Sequence, residues 1–318
     1  MRARVIGQTR SNCWSELSTD VIKELFGITV SYQVRRTVRR KSDFMNSTQK
    51  DKALRFRALH DRPGVFVIPN PWDMGSARLL AGLGFEALAT SSAASAVASG
   101  KRDGTLTREE ALAHARTIVN ATDLPVSADL ERGFGDAPEA VAETVRLAAA
   151  AGLVGCTIED TTGDPARPLY EHSLAVERIA AAADAARSLS FPFLVTARAH
   201  NFLYASPSLE ETIARLRAFE QAGGDVLFAP GLPDLAAVRE VCSAVSRPFN
   251  FMAGIRGKSF PVSELGAAGV KRISLATSLY RATMTGLFQA ARAVKDKGQF
   301  DFIEDTLTTP ELMEVMRI

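Results

Sequence analysis

From about residue 47 the chain alternates between short, unbroken apolar runs and longer stretches whose apolar residues recur every three or four positions. The short runs are 65–70, 87–92, 125–130, 155–160, 193–199, 226–230, 249–253 and 272–276. They read as strands covered on both faces, which is the pattern of a parallel sheet. The stretches between them read as helices: 49–60, 72–82, 108–121, 138–152, 174–188, 208–222, 235–245, 262–268 and 278–295. Two of these open on a capping pattern, Thr107-x-x-Glu110 and Ser208-x-x-Glu211. Eight strand–helix units in roughly 250 residues predict an α/β fold of the (β/α)8 barrel type. An open doubly wound sheet is disfavoured, because no G-x-G-x-x-G follows the first strand. Thr309–Met316 has the pattern of an extra C-terminal helix within a tail, 301–318, expected to pack on a neighbouring subunit.

Composition adds boundaries to this picture. A hydrophobic fraction of 46% with 23% charged residues is ordinary for a soluble globular chain of 318 residues. No run of about 20 apolar residues occurs, so no membrane span is expected. Cys13, Cys156 and Cys242 are too few and too scattered for a disulfide framework or a zinc site, and a reducing cytoplasm fits best. Residues 1–44 hold nine basic and four acidic residues, whereas the net charge of the whole chain is only +2. The rest is therefore mildly acidic. Residues 1–46 read as a basic, disordered extension ahead of a barrel over 47–300. They lack the apolar run and cleavage site of a secretory signal. The acidic body and the absence of aromatic-interleaved basic motifs argue against a nucleic-acid partner.

A barrel carries its chemistry at the C-terminal ends of its strands. Those ends supply Asn70 with Trp72 and Asp73, then Thr90, Ser91 and Ser92 with Asp103 in the following loop. Asp129 and Glu131 follow on the third strand, Glu159 and Asp160 on the fourth, Arg198 and His200 on the fifth, and Asn250 on the seventh. Asp129 and Glu131, two apart in an extended chain, are expected on one face, with Gly133 and Gly135 turning the backbone away just beyond. Several carboxylates at one point repel one another unless a cation lies among them. A hard divalent ion, Mg2+ or Mn2+, suits such a set, and Arg198 is placed to grip a substrate carboxylate.

The segments Asn70-Pro-Trp-Asp-Met-Gly-Ser-Ala-Arg-Leu-Leu80, Gly100-Lys-Arg-Asp-Gly104, Asp129-Leu-Glu-Arg-Gly-Phe-Gly135, Ile158-Glu-Asp160 and Thr196-Ala-Arg198 resemble the isocitrate lyase and phosphoenolpyruvate mutase superfamily. The resemblance runs from about residue 55 to about 290. It implies a magnesium-binding barrel acting on α-keto or 2-hydroxy acids through a metal-bound enolate of a pyruvate-like fragment. The metal-site acids then fall on Asp103, Asp129, Glu131 and Glu159, with Asp129 the direct ligand and the others holding metal-bound waters. The carboxylate-binding loop after the second strand falls on Ser91, Ser92 and Ala93. Arg198 is the substrate arginine; Asp103, and Asn250 from its place at a strand end rather than from the resemblance, are further candidate substrate contacts. A small carboxylic acid is the implied partner, and a homo-oligomer (dimer or tetramer) is expected.

The sequence departs from the better-known branches in one loop. Isocitrate and methylisocitrate lyases carry K-[KR]-C-G-H soon after the fourth strand, and the mutases a gating loop with lysine and asparagine. Here the segment is Thr161-Thr-Gly-Asp-Pro-Ala-Arg-Pro-Leu-Tyr-Glu-His172. It has no cysteine, and Cys156 lies inside a strand. The proton donor is thus left among His172, Tyr170 and His200. The expected activity is magnesium-dependent cleavage of a C–C bond in a small 2-hydroxy or 2-oxo acid. Oxaloacetate hydrolysis or decarboxylation, P–C bond phosphonomutase activity, and a non-catalytic keto-acid-binding barrel are the alternatives.

Overall fold

Eight parallel strands close around one axis in the computed structural model, which describes residues 47–204 and 208–317. The basic extension expected over 1–46 lies outside the described residues, which themselves belong to one unit. The strands are β1 (Phe66–Ile68), β2 (Leu88–Ala89), β3 (Val126–Asp129), β4 (Gly155–Glu159), β5 (Leu194–Arg198), β6 (Val226–Phe228), β7 (Phe249–Met252) and β8 (Arg272–Ser274). Their order is β1-β8-β7-β6-β5-β4-β3-β2, parallel at every pairing. Two hydrogen bonds span the seam between β1 and β2. Ala89 N–H donates to the Pro69 carbonyl at 3.1 Å, and the Asn70 side-chain amide donates to the Thr90 carbonyl at 3.0 Å. Each strand is shorter than its apolar run, because the run reports burial whereas the strand ends where ladder hydrogen bonding ends.

The helices are α1 (Gln49–Asp61), α2 (Met74–Gly82), α3 (Ser92–Ala98), α4 (Arg108–Ala121), α5 (Pro138–Ala150), α6 (His172–Arg187), α7 (Leu209–Gln221), α8 (Leu235–Ala244), α9 (Val262–Ala267), α10 (Ser278–Arg292) and α11 (Thr309–Met316). Thr107 and Ser208 cap α4 and α7 as expected, each accepting from the N–H three residues on. Helix α3 was not expected. Its Ser-Ala-Ala-Ser-Ala-Val-Ala run shows no apolar period, yet alanine favours helix and Ser91 caps it by accepting from Ala94 N–H.

Two packing features set the frame of the site. Helix α1 plugs the N-terminal mouth, burying Phe56 and Leu59 against Phe66, Ile68, Val154 and Leu194. Helix α11 lies on α2 so closely that a Cβ added at Gly82 would meet the Val315 carbonyl oxygen at 1.7 Å. With the lower mouth closed, the cavity opens at the C-terminal strand ends.

Candidate active site

Alternation along each strand sends every second side chain into the barrel. The inward residues lining the cavity are Ser127 and Asp129 on β3, Thr157 and Glu159 on β4, and Arg198 on β5. Phe228 on β6, Asn250 and Met252 on β7, and Arg272 and Ser274 on β8 complete the ring around a cavity of about 590 Å3. Asp160, one step beyond Glu159, points the other way. Its carboxylate meets Arg215 of α7 at 3.2 Å and accepts the His200 backbone N–H at 2.9 Å. Burial pushes its pKa up to about 6, against the pull of Arg215. Asp160 thus fixes where the chain leaves β5, whereas Glu159 faces the chemistry.

Asp129, Glu159 and Arg198 meet at the strand ends. Arg198 Nη1 is 3.2 Å from Glu159 Oε2 and 3.8 Å from Asp129 Oδ2. Ser92 donates to Asp129 Oδ2 through its backbone N–H (3.2 Å) and hydroxyl (3.0 Å), and Thr161 donates to Glu159 Oε1 at 2.6 Å. Glu131 arrives by a route the spacing did not predict. Strand β3 stops at Asp129, and Glu131 has φ +50°, a left-handed conformation costing on the order of 1 kcal/mol for a side chain with a Cβ. The turn, not strand alternation, delivers it to the cavity. Its Oε1 is buried without a hydrogen-bond partner among the described residues. Burial first, then the charges of Asp129, Glu159 and Asp103, raise its pKa to about 7. Asp103, on the loop after α3, lines the same cavity, and partial burial followed by Asp129 raises its pKa too.

The loop carrying Glu131 is held from behind. Arg178 of α6, itself buried, donates to the carbonyls of Arg132, Gly135 and Asp136 and stacks 4.2 Å from the centre of the Tyr170 ring. Tyr170 donates its hydroxyl to Asp136 at 2.5 Å. This candidate proton donor is therefore engaged in structure. His172 is exposed at the first position of α6 and does not line the cavity. The segment before it folds back on itself, with Thr161 bridging Leu169 and Tyr170 N–H returning to the Asp160 carbonyl, and so carries His172 outward. Of the three candidates only His200 faces the cavity. It is buried, its Nε2 lies 3.4 Å from Glu159 Oε2, and neither ring nitrogen has a hydrogen-bond partner among the described residues. Burial and then Arg198 hold its pKa well below the ordinary histidine value.

Other expected substrate contacts are partly committed elsewhere. Ser91 caps α3, Ser92 holds Asp129, and Ala93 lines the cavity as the second residue of the helix. Asn250 lies on the cavity floor with its amide engaged twice, donating to Ser274 Oγ at 3.0 Å and accepting from Arg272 Nε at 2.7 Å. Arg272, Phe228 and Met252 were not singled out from the sequence. An arginine at an inward position of a buried strand was a signal for the first. The other two are apolar strand ends, which a search for polar groups passes over.

Among the described residues no three His, Cys, Asp or Glu side chains are placed to ligate one ion directly. Magnesium does not require such a cluster, since it commonly keeps several waters and takes one or two carboxylates. An all-oxygen set with one unpartnered buried carboxylate oxygen fits such an ion.

The family profile described as phosphoenolpyruvate phosphomutase matches residues 56–295. The chain belongs to this family. A protein of Burkholderia cenocepacia J2315 superimposes with a TM-score of 0.83 at 49% identity, covering 85% of this chain and 98% of that one. The crystal structure of a 2,3-dimethylmalate lyase of the same superfamily gives a TM-score of 0.74 at 28% identity, covering 83% and 94%. The oxaloacetate decarboxylase of Marinomonas sp. (strain MWYL1) is 28% identical over 272 residues, 83% of this chain and 91% of that protein. The named relatives thus include a lyase and a decarboxylase. The fold and the superfamily read from the sequence both hold.

Proposed function

We propose that the protein is a divalent-metal-dependent lyase that cleaves a C–C bond in a small 2-hydroxy or 2-oxo carboxylic acid. The observation carrying this reading is the convergence of Asp129 and Glu159 on Arg198, each within 4 Å of its Nη1 in the cavity, with Glu131 and Asp103 lining the same space. Asp129 would hold a magnesium ion directly, with Glu131, Glu159 and Asp103 beyond its waters. When bound, the ion supplies a Lewis acid for the substrate's carboxylate and neighbouring oxygen. Arg198, whose Nε is buried without a hydrogen-bond partner among the described residues, clamps the carboxylate and stabilises negative charge as the bond breaks. His200, held neutral by burial and Arg198, sits where its ring can hydrogen-bond a substrate oxygen.

A panel of 2-hydroxy and 2-oxo dicarboxylates and their alkyl-substituted analogues tests this. Pyruvate or glyoxylate release that stops with EDTA and returns with Mg2+ or Mn2+ is expected. Binding of 2-oxo acids without release of any product fits the non-catalytic reading instead and contradicts the lyase. Oxaloacetate turnover alone moves the assignment to the hydrolase or decarboxylase class.

We also propose that the chain assembles with copies of itself through α10. Among the described residues the helix is anchored at its start, where Tyr280 packs edge-on to Trp72 at 5.3 Å, and residues 281–289 are all exposed. Met284, Leu287 and Phe288 are among them. A helix that follows the last barrel strand yet leaves its own barrel presents an apolar surface of the kind subunits bury.

A further inference from the structure

One wall of the cavity carries no charge. Around the inner ring Glu159, Arg198 and Phe228 are successive register partners. Met252 follows on β7, paired with Ser274 on β8. The Arg198 guanidinium carbon lies 4.9 Å from the centre of the Phe228 ring, which marks the border between charged and apolar sectors. Leu203, from the turn after β5, and Ile255, from the loop after β7, extend the apolar side. Leu203 approaches Gly231 beyond β6. A Cβ at Gly231 would meet Leu203 Cδ2 at 2.8 Å, and Lys258 of the Ile255 loop donates to the Gly231 carbonyl at 3.1 Å.

Among the described residues no cation on this side lines the cavity, Arg256 beside Ile255 being exposed and outside its lining. Lys258 is held by Gly231, Arg281 donates to the Gly254 carbonyl, and neither lines the cavity. Arg272, on the floor, is engaged on all three nitrogens, by Asn250, Thr196 and His60. A carboxylate pressed against this sector would lose its water without gaining a partner, whereas an alkyl group would gain contact.

We propose that the protein, on the reading given above, selects a 2-oxo or 2-hydroxy acid whose far end is an uncharged alkyl or aryl group. That end docks on Phe228, Met252, Ile255 and Leu203, in preference to a second carboxylate.

Calorimetric titrations in Mg2+ with pyruvate, 4-methyl-2-oxopentanoate and 2-oxoglutarate test this. The branched acid is expected to bind at least about tenfold more tightly than pyruvate, since each buried methylene contributes roughly fourfold. 2-Oxoglutarate is expected to bind no more tightly than pyruvate. The double variant Met252→Thr with Ile255→Thr lowers the ratio of branched acid to pyruvate about tenfold. A ratio near one, or 2-oxoglutarate as the tightest ligand, overturns the inference while leaving the site reading intact. No Mg2+-dependent binding of pyruvate overturns both.

Discussion

Arg198 touches both halves of the cavity, with Nη1 on Glu159 and Asp129 and its plane beside Phe228. A lysine there keeps the charge but loses the fork, so Arg198→Lys is predicted to lower kcat/KM by about 100-fold. The variant's unfolding midpoint should stay near that of the parent; a rate within threefold of the parent contradicts the clamp. His60 makes a stability prediction. Its Nδ1 lies 2.8 Å from the Phe56 carbonyl and its Nε2 3.4 Å from Arg272, which requires the neutral ring with its proton on Nδ1. Burial first, then Arg272, pushes its pKa down to about 3. The folded value lies below the unfolded one, so His60 destabilises the fold as pH drops from about 6.5 toward 3, by about 1.4 kcal/mol per pH unit. In denaturant titrations between pH 7 and 5, His60→Gln should reduce the acid-limb slope by about one proton; an unchanged slope contradicts this. The acids and Arg198 were legible because charged residues at the ends of buried strands stand out. Glu131's left-handed turn was not legible, since D-x-E reads equally well as extended chain. Nor was the outward course of His172, which depends on hydrogen bonds between loop residues.

Whole elements were mostly legible for one reason. Burial on both faces makes each strand an apolar run, and the capping residues Thr107 and Ser208 mark helix starts directly. Helix α3 escaped because a seven-residue alanine–serine run has no apolar period, although it places Ser92 on Asp129. The pattern marked α10 as a helix but could not say whether it returns to its barrel. If copies associate through it, Leu287→Glu with Phe288→Glu should yield a smaller species by light scattering; an unchanged mass contradicts the proposed assembly. At the other end of the tail, Gly82 admits the Val315 carbonyl against α2. Gly82→Val should detach α11, read as faster proteolysis after residue 300 with little change in the barrel's unfolding midpoint. Equal proteolysis rates would contradict that packing.

At the scale of the molecule, α1 closes one mouth of the barrel, and the cavity lies at the strand ends of the other. Its charged sector spans β3 to β5 and its apolar sector β6 to β7, a division invisible until register sets the residues side by side. Membership of the isocitrate lyase and phosphoenolpyruvate mutase superfamily was legible from motifs in order along most of the chain, and the matched profile covers residues 56–295. Substrate choice was not, because it rests on apolar side chains that carry no motif. The central claim is that a divalent ion and Arg198 together hold one organic acid. Titrating oxalate, a planar mimic of a pyruvate enolate, into the parent protein with and without Mg2+ tests it most directly. The account predicts binding that strengthens at least about 100-fold with Mg2+ and loses that gain in Asp129→Asn. Oxalate affinity indifferent to Mg2+, or a full Mg2+ effect surviving in Asp129→Asn, would contradict it.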